Sequence, residues 1–291
     1  MDLRLMKYFL MTAQELNITS AANLLHITQP TLSKELKHLE EDLGVALFER
    51  NGRSISLTED GYYFRKRAKE IVELSDKLEA EFASKSETDI HGDIYIGAGE
   101  AMFLYTIADC IHRIREKYPH IVFHMFGGGG DLLVDRMNKG LLDFIVLIDS
   151  PEVKQYHAIP LPTQELRGLY MHKDMPWVQK GYIAPEDLKD IPLILPERPG
   201  LHHIIKSWSG YDYDQLNVIA TYNLLYTVRP MAENKEGCVL GNPGALSAPN
   251  VVFVPLRPTY VDQFYVLYKK NTILKPSAKI FVEELNAMVR K

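Results

Sequence analysis

Residues 19–40 read Thr19-Ser20-Ala21-Ala22-Asn23-Leu24-Leu25-His26-Ile27-Thr28-Gln29-Pro30-Thr31-Leu32-Ser33-Lys34-Glu35-Leu36-Lys37-His38-Leu39-Glu40, and residues 47–58 read Leu47-Phe48-Glu49-Arg50-Asn51-Gly52-Arg53-Ser54-Ile55-Ser56-Leu57-Thr58. The first run encodes two helices around a tight turn. Thr19 and Ser20 suit an N-cap, and Ala21, Ala22, Leu24 and Leu25 supply a compact apolar face. Ile27 falls in the turn. Thr28 can cap a second helix whose first turn accepts Pro30, because that N–H has no helical partner anyway. Leu32, Leu36, Leu39 and Leu43 recur at helical steps and form one stripe to be buried. At roughly 100° per residue, Pro30, Lys34 and Lys37 fall opposite the stripe, with Thr31 and Ser33 beside them. Gly44 suits a left-handed helix end. In the second run Asn51-Gly52 favours a type I′ hairpin turn, with Arg50 and Arg53 flanking its tip. The expectation is a winged helix-turn-helix, which lays its second helix in a DNA major groove.

The residue types divide the work. Gln29 can pair two-pronged with an adenine edge, and Thr31 can reach a base or a thymine methyl. Ser33, Lys34 and Lys37 suit phosphates, which hold register without reading sequence. Thr28 and Pro30 share that groove-facing helix start, and Arg50 and Arg53 can reach the backbone or the adjacent minor groove. Charge adds little: residues 1–60 carry Lys/Arg at 4, 7, 34, 37, 50 and 53 against Asp/Glu at 2, 15, 35, 40, 41, 42, 49, 59 and 60. Nonspecific affinity for DNA is therefore expected to be modest.

Thr58-Glu59-Asp60 opens another helix, a cap followed by two acids that suit the positive end of its dipole. Phe64, Ala68, Ile71, Ser75, Leu78 and Phe82 then alternate steps of four and three, a period near 3.5 that describes a narrow seam for a second helix. Docking on the chain's own body is the alternative. Ser86-Glu87-Thr88-Asp89 reads as a polar hinge.

From Met1 to about Ala80 the chain resembles the N-terminal region of LysR-type transcriptional regulators. The residues that carry the resemblance are the opening Met1-Asp2-Leu3-Arg4-Leu5-Met6-Lys7-Tyr8-Phe9, Ser20-Ala21-Ala22, Leu25-His26-Ile27-Thr28-Gln29-Pro30, Leu32-Ser33, Leu39-Glu40, Leu43-Gly44, Leu47-Phe48-Glu49-Arg50 and Leu57-Thr58. The resemblance implies a reader of double-stranded promoter DNA at residues 1–58 and a linker helix and hinge at 59–88 through which copies pair. It implies an effector-binding domain at 89–291, built like the type-2 periplasmic solute-binding proteins. A homodimer or homotetramer and a small-molecule effector are the implied partners.

Composition agrees with a multidomain chain. At 291 residues it exceeds the roughly 100–200 typical of one domain. It has no secretory signal pattern and no apolar run approaching the ~20 residues of a membrane span, so a cytoplasmic protein without a membrane partner is expected. Cys110 and Cys238 are its two cysteines, and both read as packing residues. No metal or cofactor is expected.

Beyond Gly92 short strands and helices alternate. Strands are expected at 93–97, 121–126 and 144–148, with helices at about 103–117 and near 132–138. A second block places strands near 166–172, 193–195, 218–221 and 237–240, and helices near 202–207 and 224–233. Strands at 251–254 and 264–268 and a helix at 276–290 complete the chain. Two α/β blocks, with crossings near Leu161 and Tyr268, predict two lobes: lobe I at about 89–160 and 268–291, lobe II at about 161–267. Ligands of such folds sit at the carboxyl ends of the strands. That rule selects Gly99, Glu100, Ala101 and Met102, then Gly128 and Gly129, Asp149, Gly200, Leu201 and His202, and Asn223. The resemblance implies a hydroxyl residue near position 100, suited to a carboxylate effector. Glu100 departs from that pattern and would repel an anion, so it points outward or the ligand presents a cation, a polar neutral group or a bridging water. Asn234-Lys235-Glu236 also departs, from a glycine-rich turn. An enzyme built on His202, His203, Glu100 and Asp149 is the rival, yet no nucleophile–base spacing or metal motif accompanies them, and no catalytic residue is assigned. A DNA binder without an effector is the other rival.

Overall fold

Asp2 starts the first helix, α1 (Leu3–Glu15), by accepting a 2.8 Å hydrogen bond from the Leu5 amide. The structure, a computed structural model, describes residues 2–51, 54–83, 90–148, 155–197 and 200–290, and divides into two units, Met1–Ala83 and Ser84–Lys291. In the first unit α2 (Ile18–Leu24) and α3 (Gln29–Leu43) follow, then a hairpin of β1 (Phe48–Asn51) and β2 (Ser54–Leu57), then α4 (Glu59–Ala83). Asn17, rather than Thr19 or Ser20, caps α2: its side-chain oxygen accepts from the amides of Thr19 and Ser20 at 2.9 and 3.0 Å. A carboxamide one turn earlier satisfies two orphan donors at once. The connection to α3 bends at His26, whose backbone is left-handed (φ 55), and the Ile27 amide closes onto the Ala22 carbonyl.

Leu32, Leu36 and Leu39 enter a core with Phe9, Ala21, Ala22, Leu47 and Leu57, while Leu43 is half-buried. Gly44 ends α3 in the left-handed conformation expected of it (φ 73). Asn51 pairs with Ser54 in the hairpin ladder, so it is a strand residue and not the central turn residue expected. Gly52 and Arg53 lie outside the described residues, as do Ser86–Asp89. Thr58 joins hairpin to helix: its Oγ1 donates to the Ala46 carbonyl (2.7 Å) and accepts from the Gly61 amide (2.9 Å). At position 61 a Cβ would stand 2.1 Å from the Leu47 carbonyl oxygen, so only glycine lets α4 approach that closely.

The expected seam of α4 is divided between two faces. Ala68 and Val72, with Phe64, pack on Met6 and Leu10 of α1, and Phe64 also meets Phe9 edge-on at 4.8 Å. Ile71, Leu74 and Leu78 face elsewhere and are 44%, 45% and 54% exposed. The unit's own core takes the 64–68–72 row, which leaves the expected pattern by one residue at its third position.

The second unit contains β3 (Gly92–Ala98), α5 (Phe103–Lys117), β4 (Ile121–Gly127), α6 (Gly130–Asn138), β5 (Phe144–Ile148), β6 (Tyr156–Leu166), β7 (Gly168–His172), α7 (Pro176–Lys180), β8 (Leu193–Pro196), α8 (Leu201–Ser209), β9 (Val218–Tyr222), α9 (Arg229–Glu233), β10 (Cys238–Gly241), β11 (Val251–Pro255), β12 (Val261–Lys269) and α10 (Pro276–Val289). Lobe I is a sheet of order β4-β3-β5-β12-β6 and lobe II one of order β11-β7-β10-β8-β9. In lobe I, α5 and α10 cover one face through Ile107, Cys110, Ile114, Phe281 and Leu285, and α6 covers the other through Leu133 and Met137. Lobe II likewise has a core on each face, with α8 on one side and α9 on the other.

Lobe II is an insertion. The chain leaves lobe I at Arg167 and returns through residues 256–260, so the crossings expected near Leu161 and Tyr268 fall inside β6 and β12. β6 was hidden by Pro160 and Pro162, which an edge strand tolerates because its outer N–H groups need no partner. The strand expected at 166–172 is broken at Arg167. The helix expected at 224–233 is a 3₁₀ turn (Leu225–Val228) followed by α9, which has Pro230 in its first turn. After α9, Lys235 takes the left-handed conformation usually left to glycine (φ 63), and its Nζ donates to Asp174 at 2.8 Å.

Candidate functional site

The start of α3 carries the first group of expected residues. Thr28 caps the helix, its Oγ1 accepting from the Thr31 amide at 3.4 Å and lying 2.8 Å from Thr31 Oγ1. Thr28, Gln29, Pro30, Thr31, Lys34 and Lys37 are exposed and Ser33 is half-buried, on the side of α3 opposite Leu32, Leu36 and Leu39. Lys37 lies 3.5 Å from Glu41, while Lys34 has no ion pair among the described residues. Lys34 is therefore the freer cation on this face. The backbone of Arg50 pairs with Ile55 beside it; the side chain of Arg50 and all of Arg53 lie outside the described residues. Glu40 has a mechanical role: its Oε1 accepts from the amides of Leu47 and Phe48 at 2.7 and 3.0 Å and ties α3 to the hairpin.

Between the lobes runs a cleft of about 130 Å³. Its walls include Gly99, Glu100, Gly128 and Asn223 of the expected residues, with Arg167, Tyr222 and Asn242. Ala101 and Met102 line an adjoining outer groove of about 450 Å³ together with Tyr105, Tyr226 and Ala245; Glu100 lines both. The others stand apart. Gly129 precedes α6 and is not a wall residue. Gly200 starts α8, Leu201 is 1% exposed in the lobe II core, and His202 stacks on Tyr213 at 3.8 Å. The strand-end rule holds at Pro196, which does line the cleft, but α8 turns its first residues into lobe II. Asp149 lies outside the described residues.

At the crossing the structure shows a buried polar cluster that the sequence did not reveal. Arg167 Nε and Nη2 donate to the two carboxylate oxygens of Asp262 at 3.0 and 2.5 Å, with side chains 6% and 0% exposed. Asn242 Nδ2 adds a third hydrogen bond to Asp262 at 2.6 Å. Arg167 Nη1, also buried, has no hydrogen-bond partner among the described residues. Two residues earlier, Glu165 reaches the start of α5, where no side chain of the helix itself caps, and its Oε1 accepts from the Phe103 amide at 2.9 Å. Burial pushes its carboxyl up to about 7, against the opposing pull of the Phe103 N–H, and Asp262 adds to the rise. A lone Arg167 in the apolar run Leu166–Met171 was the available signal, but its partner is 95 residues away.

Both thiols are fully buried, Cys110 in lobe I and Cys238 in lobe II, and burial raises each to about 12. Among the described residues no group of His, Cys, Asp and Glu is arranged to hold a metal, and no helix is long and apolar enough to cross a membrane.

Comparison with known proteins gives two family matches: the bacterial regulatory helix-turn-helix protein, lysR family, over residues 3–62, and the LysR substrate binding domain over residues 88–290. The HTH-type transcriptional regulator BsdA of Bacillus subtilis (strain 168) is 36% identical over 169 residues, covering 55% of this chain and 57% of that protein. The DNA-binding transcriptional dual regulator OxyR of Escherichia coli (strain K12) is 25% identical, covering 68% of this chain and 64% of that protein. Each match thus spans less than two thirds of the relative. Among solved structures, full-length CbnR complexed with its target DNA superposes with a TM-score of 0.77 at 19% identity, over 99% of this chain and 100% of that one. Full-length OxyR from Pseudomonas aeruginosa gives 0.57 at 24% identity over the whole of both chains. These two likenesses concern the fold.

Proposed function

The chain belongs to the lysR family of bacterial regulatory proteins, and from that premise we propose that it is a DNA-binding transcriptional regulator whose hold on its promoter is modulated by a small-molecule effector in the interlobe cleft. The observation that carries this is the start of α3, where hydroxyl, carboxamide and lysine side chains are exposed over a buried leucine stripe. Residues 1–58 are the DNA reader, 59–88 the linker and 89–291 the effector-binding part. Gln29 and Thr31 read bases; Ser33, Lys34, Lys37 and the wing arginines Arg50 and Arg53 hold phosphate or the minor groove. The protein acts in the cytoplasm, where its promoter is. Exposed Ile71, Leu74 and Leu78 on α4 suit pairing with a second copy, so that two readers engage two half-sites.

Several relatives are named hydrogen peroxide-inducible genes activators, and that role is not carried over. Peroxide chemistry needs an accessible thiolate, whereas both thiols here are buried and protonated at neutral pH. An enzymatic role has no such support either: among the described residues Glu100 lines the cleft, whereas His202 stacks on Tyr213 outside its walls.

Footprinting on the DNA flanking the chain's own gene tests the proposal. A dyad-symmetric protected site, altered by some metabolite, is expected; absence of any specific protection would sink it. Gln29→Ala should relax base preference by about 1–3 kcal/mol at one position. Lys34→Ala should weaken binding to all sequences alike and lower the salt slope by about 1.

A further inference from the structure

Thr28 and Thr31 meet across the first turn of α3, and the meeting decides what each can offer a base. Thr28 is anchored by its carbonyl, which accepts from the amide of the fully buried Leu32 at 3.1 Å, and its Oγ1 accepts from the Thr31 amide at 3.4 Å. Between them Pro30 fixes its own φ and stiffens the turn. On that base Thr31 Oγ1 lies 2.8 Å from Thr28 Oγ1. A threonine in a helix has two usual χ1 wells, and the one taken depends on where its hydroxyl finds a partner. Here the partner is the cap, three residues back. Because the substituents of Cβ are staggered, a hydroxyl turned to the cap leaves the methyl in a separate well of an exposed side chain.

The two groups of Thr31 then differ in what a base gives them. The hydroxyl would exchange one hydrogen bond for another and gain little, whereas the methyl would exchange water for apolar contact. In the major groove the apolar feature of a base edge is the C5 methyl of thymine. The helix that carries this pair lies within the match to the bacterial regulatory helix-turn-helix family, residues 3–62, so its exposed face meets DNA. We infer that Thr31 reads a thymine through its methyl group, and that Thr28 is a positioning residue that keeps the Thr31 hydroxyl out of the readout. This rests on the DNA-reading role of α3 and assigns one base to one side chain.

The test uses the full chain and the footprinted operator, rebuilt with deoxyuridine in place of one thymidine at a time. Uracil pairs as thymine does and lacks only the C5 methyl. One position in each half-site should lose about three- to fourfold in affinity, the effect of one methyl kept from water. Thr31→Ser keeps the hydroxyl without the methyl, and should bind the thymidine and deoxyuridine duplexes equally at that position. Thr31→Val keeps a methyl without the hydroxyl, and should preserve the discrimination. Thr28→Ala should shrink the ratio and Thr28→Ser should restore it. Each ratio is taken within one variant, so a loss of folded protein cancels and a cap with only a structural role would leave it unmoved. The inference is overturned if no thymidine is sensitive, or if Thr31→Ser leaves the ratio standing, which would give the contact to another side chain such as Pro30. It is overturned equally if Thr31→Val abolishes the ratio or Thr28→Ala leaves it unchanged. The DNA-reading role fails separately, by the absence of any specific footprint.

Discussion

Glu40 in the first unit and Glu165 in lobe I both tie one element to the backbone amides of another, but only Glu165 does so out of reach of water. Glu40 is half-buried and accepts two N–H groups at one oxygen. Glu165 is 4% exposed, and its Oε2 has no partner among the described residues. A carboxylate at a wet joint can keep its charge at little cost, while one at a dry joint needs either compensating hydrogen bonds or a proton. Asp262, a few residues along the same crossing, shows the compensated case, with three donors around it.

Four substitutions would break or sharpen that contrast. Asp262→Ala has the largest expected effect, a loss of about 3–5 kcal/mol in urea unfolding, because Arg167 then stays buried without its counter-charge. A loss under about 1 kcal/mol would mean that water reaches the pair and the crossing is not dry. Next is the pH response of Glu165, whose carboxyl is raised from 4.5 to about 7 in the folded chain. Between those values the folded state holds the extra proton, so stability is highest below about 4.5, falls as pH rises to about 7, and is level above it. The fall amounts to about 3 kcal/mol. Glu165→Gln keeps the acceptor for the Phe103 amide and should remove this part of the slope; an unchanged pH profile would count against the assignment.

Glu40→Ala comes third. It should cost about 1–2 kcal/mol, since two N–H groups lose an acceptor but regain water. A loss as large as that of Asp262→Ala would erase the distinction between wet and dry joints. Thr28→Ala is the smallest: its cap bond is long, at 3.4 Å, so the loss should be about 0.5 kcal/mol, read from the midpoint of the same titration.

What could be read in advance depended on whether the signal was local. The α3 stripe and its cap, the bounds of α5 and the apolar β5 follow from periodicity and neighbouring residues. Asn17, Thr19 and Ser20 are all good caps by residue type, and only geometry chooses among them. The rows on α4 could not be separated without knowing which side α1 occupies. β6 looked unlike a strand because the rule against proline applies inside a sheet and not at its edge. In the cleft, Gly99, Glu100, Gly128 and Asn223 were accessible from strand ends. Arg167, Asn242 and Asp262 were not, because their meeting depends on how the inserted lobe returns.

The insertion also orders events during synthesis. β12 pairs with β5 on one side and β6 on the other, so one inner strand of the lobe I sheet is made from residues that leave the ribosome after all of lobe II. Lobe II, continuous from β7 to β11, can close its sheet first, while β5 waits with an open edge. Nascent chains halted at the length where Leu256 has left the ribosome but β12 has not should therefore resist protease across lobe II and remain open to cleavage between β3 and β5. The late strand also carries Asp262, so Arg167 gains its counter-charge only when the last sheet is sealed.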